Sequence, residues 1–221
     1  MSETNDYIYI VLECSHTLVG KIAKKVEHYD YSHITTCFSD SLDSFASFSR
    51  RKLHAPFDAG FMRETLDCMA FGDYDTTQLK IFKVPLLPGR KEIIEKFIAA
   101  VERDDQYIFN LYSAFSMGLF HGFRIYKTYN CMSFVGRVLD LSGTVKLDRP
   151  YYRYDIRQMD ELLTPYLYAE QEYECREIIN QHYMDHVGFL PNVGMFLKLT
   201  GRLLFRLLTK RKQAKEDILP Q

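Results

Sequence analysis

The sequence has no tryptophan, no CxxC pair, no excess of either charge and no long apolar run. Its five cysteines, Cys14, Cys37, Cys68, Cys131 and Cys175, are odd in number, and none falls with histidine into metal-ligand spacing. That argues against a zinc module and against a disulfide framework, and no metal or cofactor is expected. The thiols read as mostly small buried hydrophobes in a reducing compartment. Lys and Arg total 28 against 29 Asp and Glu, for a net charge of -1, so nothing draws the chain as a whole toward nucleic acid. The absence of a run of about 18 apolar residues excludes a spanning helix. The opening MSETNDYIYIVLE lacks the basic region of a signal peptide, so the chain reads as cytoplasmic. No internal repeat or low-complexity segment is visible.

What is present is a large apolar fraction, 47%, with 16 tyrosines and 16 phenylalanines in 221 residues. This suffices for one sizeable core plus an appendage. Tyr7–Leu12 is predicted as a buried strand, and Leu18, Ile22 and Val26, four apart, predict a helix over 17–26. Tyr31–Ser39 and Phe45–Ser49 read as a strand pair around the turn-rich Asp40–Ser44. Arg50–Met62, with Pro56 and Gly60, reads as a loop, and Gln78–Leu86 as a strand. Ile93, Ile94, Phe97, Ile98 and Val101 predict a helix over Arg90–Arg103, and Tyr107–Phe123 reads as helix followed by loop. Asn130-Cys131 opens a helix running through Leu141, which Gly143 ends. Asp155–Leu163 and Leu167–Tyr183 are predicted helical.

Cys131 stands out by position. At a helix start, unpaired backbone N–H groups and the positive end of the helix dipole suit an anionic sulfur, and the same donors suit an oxyanion on an attacked carbonyl. A nucleophilic thiol needs an adjacent base, usually imidazole. Of the seven histidines, His33 is the best candidate, because it opens a strand rich in β-branched residues that would fix its ring. His121, ten residues before Cys131 (131 − 121), is the main rival. The bland alternatives are a packed cysteine and a satisfied half-buried histidine.

Three ordered pieces, YIYIVLE with YSHITTCFS, then FASFSRR with PFDAGFMRE, then YNCMSFVGRVL, resemble circularly permuted members of the NlpC-type papain-like cysteine hydrolases. The resemblance spans roughly residues 7–160, with His33 preceding Cys131 by 98 residues (131 − 33). It implies an α+β fold in which a small antiparallel sheet packs on the nucleophile helix, a catalytic domain over 1–160 and a helical C-terminal extension over 161–221. It also implies Cys131 as nucleophile, His33 as base and a polar orienter on the next strand, for which Ser47 fits best. Glu64 is read as a solvated charge on the loop after that strand pair, its other reading being a residue lining the cleft. The implied activity is hydrolysis or acyl transfer at an amide, thioester or ester, with a peptide, protein amide or lipid acyl substrate. The alternative is a non-enzymatic peptide- or lipid-binding module on the same scaffold.

The C-terminal MFLKLTGRLLFRLLTKRK is a basic amphipathic helix, with Lys198, Arg202, Arg206 and Lys210 recurring every four residues. Either it docks on the domain with its basic face in water, or it lies in an anionic membrane surface. The sequence leaves the oligomeric state open.

Overall fold

A computed structural model of the chain describes residues 6–14, 29–71, 75–175 and 177–216, so the helix expected over 17–26 lies outside the described residues. The fold is α+β, built on a six-stranded sheet whose neighbours all run antiparallel. Strand β1 (Tyr7–Glu13) is interior, bordered by β2 (His33–Cys37) and by the ten-residue β5 (Thr76–Pro85). Burial on both faces is why YIYIVLE is apolar almost throughout instead of alternating. Outward from β2 lie β3 (Phe45–Arg50) and β4 (Ala59–Glu64), and beyond β5 lies β8 (Leu167–Glu174).

Two sequence expectations fail here. The segment read as a loop to Met62 contains β4, which pairs with β3 from Arg50↔Ala59 to Phe45↔Glu64. Leu167–Glu174, expected to be helical, is a strand on β5, with Gln78 opposite Glu172. The long β5 offers a full row of backbone donors and acceptors, and pairing with it outweighs the helix preference of the Ala, Glu and Gln in LYAEQEYE. The region after 160 is therefore partly sheet, not a purely helical extension.

Helix α1 (Arg90–Arg103) buries Ile94, Phe97, Ile98 and Val101 and is entered through Gly89, whose φ of 74° a side chain would resist. A short strand β6 (Ile108–Phe109) precedes α2 (Leu111–Phe120), and β7 (Thr128–Tyr129) precedes α3 (Cys131–Ser142). Strands β6 and β7 pair in parallel. Nearly every residue of α3 is buried, and Phe134, Val135, Val138 and Leu139 pack with Ile8, Ile10, Ile34 and Phe48 of the sheet to form the main core. Gly136 lies where a Cβ would stand 2.5 Å from the Tyr151 carbonyl oxygen, so only glycine lets the chain pass so close to α3. Gly143, with φ 74°, ends the helix as the sequence predicts. Helices α4 (Ile156–Leu163, capped by Asp155), α5 (Phe189–Thr209) and α6 (Gln213–Glu216) complete the described chain.

Candidate catalytic site

The site is assembled where α3 begins. The Asn110 N–H donates to the Tyr129 carbonyl at 2.8 Å, and with the β6–β7 pairing this fixes the backbone two residues ahead of Cys131. Asn130 then caps the helix reciprocally. Its side chain accepts the Ser133 N–H at 2.8 Å, while the Ser133 hydroxyl accepts the Asn130 N–H at 2.9 Å. The capping box uses two of the orphan donors and leaves the N–H groups of Cys131 and Met132 without an acceptor inside the helix. Cys131, 8% exposed, joins the main core at its edge.

His33 is the first residue of β2, paired across from Glu13 on β1. Strand alternation sends its neighbour Ile34 into the main core and places the imidazole on the face shared by Ser47, Ser49 and Glu64. His33 Nε2 lies 2.9 Å from Glu64 Oε2 and 3.2 Å from Oε1. Both side chains are nearly enclosed, with 13% and 5% exposure. Burial alone would depress the proton affinity of His33, but the Glu64 charge and the Cys131 side chain beside the ring outweigh it and hold its pKa well above 6.5. For Glu64, burial pushes the carboxyl up, and His33 with Ser49 and Ser47 more than reverses it, leaving its pKa below 4.5. The structure thus brings Cys131, His33 and Glu64 together across three elements.

The expectation for Ser47 is corrected. The group that holds the imidazole is the Glu64 carboxylate, and Glu64 is a buried strand residue, not a solvated loop charge. Ser47 is fully buried and its hydroxyl makes no hydrogen bond of ordinary geometry, but with Ser49 it helps keep Glu64 ionised. A sequence signal for Glu64 did exist. Reading AGFMRE as a strand paired with FASFSR puts Glu64 on the face of Ser47 and Ser49. Gly60, together with Pro56 just upstream, masked that pattern.

The other candidates lie elsewhere. His121 is an exposed residue ending α2 with φ 53°, and His54 stacks on His186 at 4.2 Å. Burial pushes the thiols of Cys37 and Cys68 up to about 12 and about 11, which makes them poor nucleophiles at neutral pH. Among the described residues, no group of three or more His, Cys, Asp or Glu is placed to hold a metal ion.

The His33–Glu64 pair sets a pH signature. The raised pKa of His33 adds stability that is fully present below 6.5 and is lost as pH rises through the folded value. The lowered pKa of Glu64 adds stability that is present above 4.5 and is lost as pH falls through its folded value. Both contributions coexist between 4.5 and 6.5. A series of thermal melts should place the maximum of Tm in that window, and His33→Ala should flatten it.

No protein-family model, no curated protein and no solved structure matches the chain.

Proposed function

We propose that this protein is a cysteine-dependent hydrolase or acyltransferase working through an acyl-enzyme on Cys131. The observation that carries this reading is the buried Glu64 carboxylate on Nε2 of an imidazole that also faces the Cys131 thiol. A structural histidine has no need of both partners, whereas a base acting on a thiol does. With Nε2–H donating to Glu64, Nδ1 holds the proton that Cys131 gives up, and the raised proton affinity of the ring favours this imidazolium form as sulfur attacks a carbonyl carbon. The developing oxyanion would accept from the first-turn N–H groups that the capping box spares. Collapse breaks the bond to the leaving amine, thiol or alcohol, which takes its proton from His33. Water or another acceptor, deprotonated by His33, then releases the acyl group. The order of the histidine strand before the nucleophile helix is that of the permuted NlpC-type proteins the sequence resembles. A peptide, protein amide or lipid acyl group is the proposed substrate class. The competing reading, a non-enzymatic binding module, gives the buried carboxylate on the imidazole no task.

An electrophilic acyl probe tests the proposal at neutral pH. Mass spectrometry should find the label on Cys131, and His33→Ala should slow its attachment by on the order of a hundredfold. Labelling of Cys131 no faster than that of Cys14 or Cys175, or an unchanged rate in the His33 variant, would sink the enzyme reading.

A further inference from the structure

Helix α5 has two apolar faces, and only one is used. Leu199 and Leu203 are buried with Ile108, Leu111 and Ile125, while Phe196 meets Phe57 edge-on at 4.9 Å. The Tyr112 hydroxyl donates to the Thr200 carbonyl at 3.2 Å. These contacts fix which side of α5 faces the domain. On the other side Leu190, Val193, Leu197, Leu204 and Leu208 recur at helical spacing, with Gly201 in the same row. All five are exposed, Leu190 at 78%, Leu197 at 62% and Leu208 at 74%. The row runs about 27 Å along the helix axis. A contiguous apolar surface of this kind on a folded domain marks an interaction site.

Charge decides what covers it. Residues 189–212 contain six basic residues and no acidic one. Arg206 is taken up inside the domain, but Lys198, Arg211 and Lys212 are exposed and Arg202 and Lys210 are partly so. No described helix is long and apolar enough to cross a membrane. An apolar row with cations alongside and beyond its end fits a surface with an anionic rim over hydrocarbon. We infer that the outer face of α5 lies in the interface of an anionic phospholipid bilayer, with the helix axis parallel to the membrane plane. Leu190, Leu197, Leu204 and Leu208 enter the acyl boundary, and Lys198, Arg211 and Lys212 meet the headgroups. This holds whatever chemistry Cys131 performs, so its failure and that of the enzyme reading are separate events.

The test is co-sedimentation of the full chain with vesicles of neutral phosphatidylcholine and with vesicles containing about one-third phosphatidylserine. The anionic vesicles should bind it at least about tenfold more strongly, with binding weakening as salt rises. Leu197→Glu combined with Leu204→Glu touches only exposed positions, so circular dichroism and Tm should stay as in the parent while vesicle binding falls at least about tenfold. Lys198→Glu with Arg211→Glu should erase the preference for anionic vesicles. Absence of vesicle binding, or equal binding by the leucine variant and the parent, would overturn the inference. So would light scattering that shows a dimer which Leu197→Glu/Leu204→Glu dissociates, since a second copy would then be the occupant.

Discussion

Glu64→Gln should lower the titration midpoint of His33 from well above 6.5 to below it. The largest influence on the imidazole is burial, which disfavours the charged ring, and the Glu64 charge is the largest of those opposing it. Glutamine keeps the shape and an oxygen that can accept from Nε2, but removes the charge. What remains is a nearly enclosed ring whose protonation has lost its largest support and keeps only that of the Cys131 side chain. The His33 Cε1 proton, followed by NMR across a pH series, reports the midpoint directly. The same substitution should erase the Tm maximum between 4.5 and 6.5, because both halves of the linkage go with the pair. Acyl-probe labelling of Cys131 should fall by on the order of a hundredfold, as expected for a group that orients a base and stabilises its charged form. A midpoint that stays put would mean that Glu64 does not govern the ring. A midpoint that drops with labelling unchanged would leave the pair a structural feature and remove Glu64 from the proposed mechanism.

The second large effect concerns Arg206. This guanidinium, which the four-residue recurrence places on a basic face turned to water or to a membrane surface, is buried beneath α5 and donates to three backbone carbonyls: Gln106 at 2.7 Å, Lys127 at 3.0 Å and Tyr126 at 3.2 Å. Burial lowers its proton affinity, with Arg202 adding to the effect. Arg206→Met would keep the apolar stem but strip those carbonyls of their donor. Charge-assisted hydrogen bonds contribute roughly 1.5–3 kcal/mol each, and the three are not additive, so a loss of about 2–4 kcal/mol is expected. Urea unfolding should show this as a lower midpoint at unchanged slope. The damage should also be local. Lys127 accepts from the Ile108 N–H, and β7 follows immediately, leading into Cys131. Faster hydrogen exchange at Ile108 and Asn110 should accompany the loss, and slower probe labelling should follow from a loosened approach to α3. A variant as stable as the parent would show that Arg206 adds nothing to the docking of α5.

What could be read in advance follows physical locality. The bounds of α1 and the start of α3 are set by side chains within one turn: the apolar row in the first case, Asn130 and Ser133 in the second. Such signals survive in a single sequence. Strand β8 does not, because its conformation is imposed by β5, more than 90 residues earlier at Gln78↔Glu172. Glu64 escapes a local reading for the same reason, since its burial depends on a strand pairing and on a histidine 31 positions away. The Arg206 error has a geometric origin. Residues four apart advance about 40° beyond a full turn of an α-helix, so a row with that period winds around the axis. Lys198 and Arg206 therefore stand about 80° apart, enough to leave one in water and carry the other under the helix.

Strand β8 also bears on whether two sheets can join edge to edge. It is the terminal strand of the sheet, and its outward hydrogen-bonding edge is a template onto which another strand could add. Ala169 and Tyr173 on one face pack toward the sheet's second apolar cluster, while Glu170, Glu172 and Glu174 alternate with them on the opposite, exposed face. Two such edges brought together would set rows of carboxylates against each other, and like charges facing across strands oppose pairing. Repulsion between carboxylates thus guards this edge of the sheet.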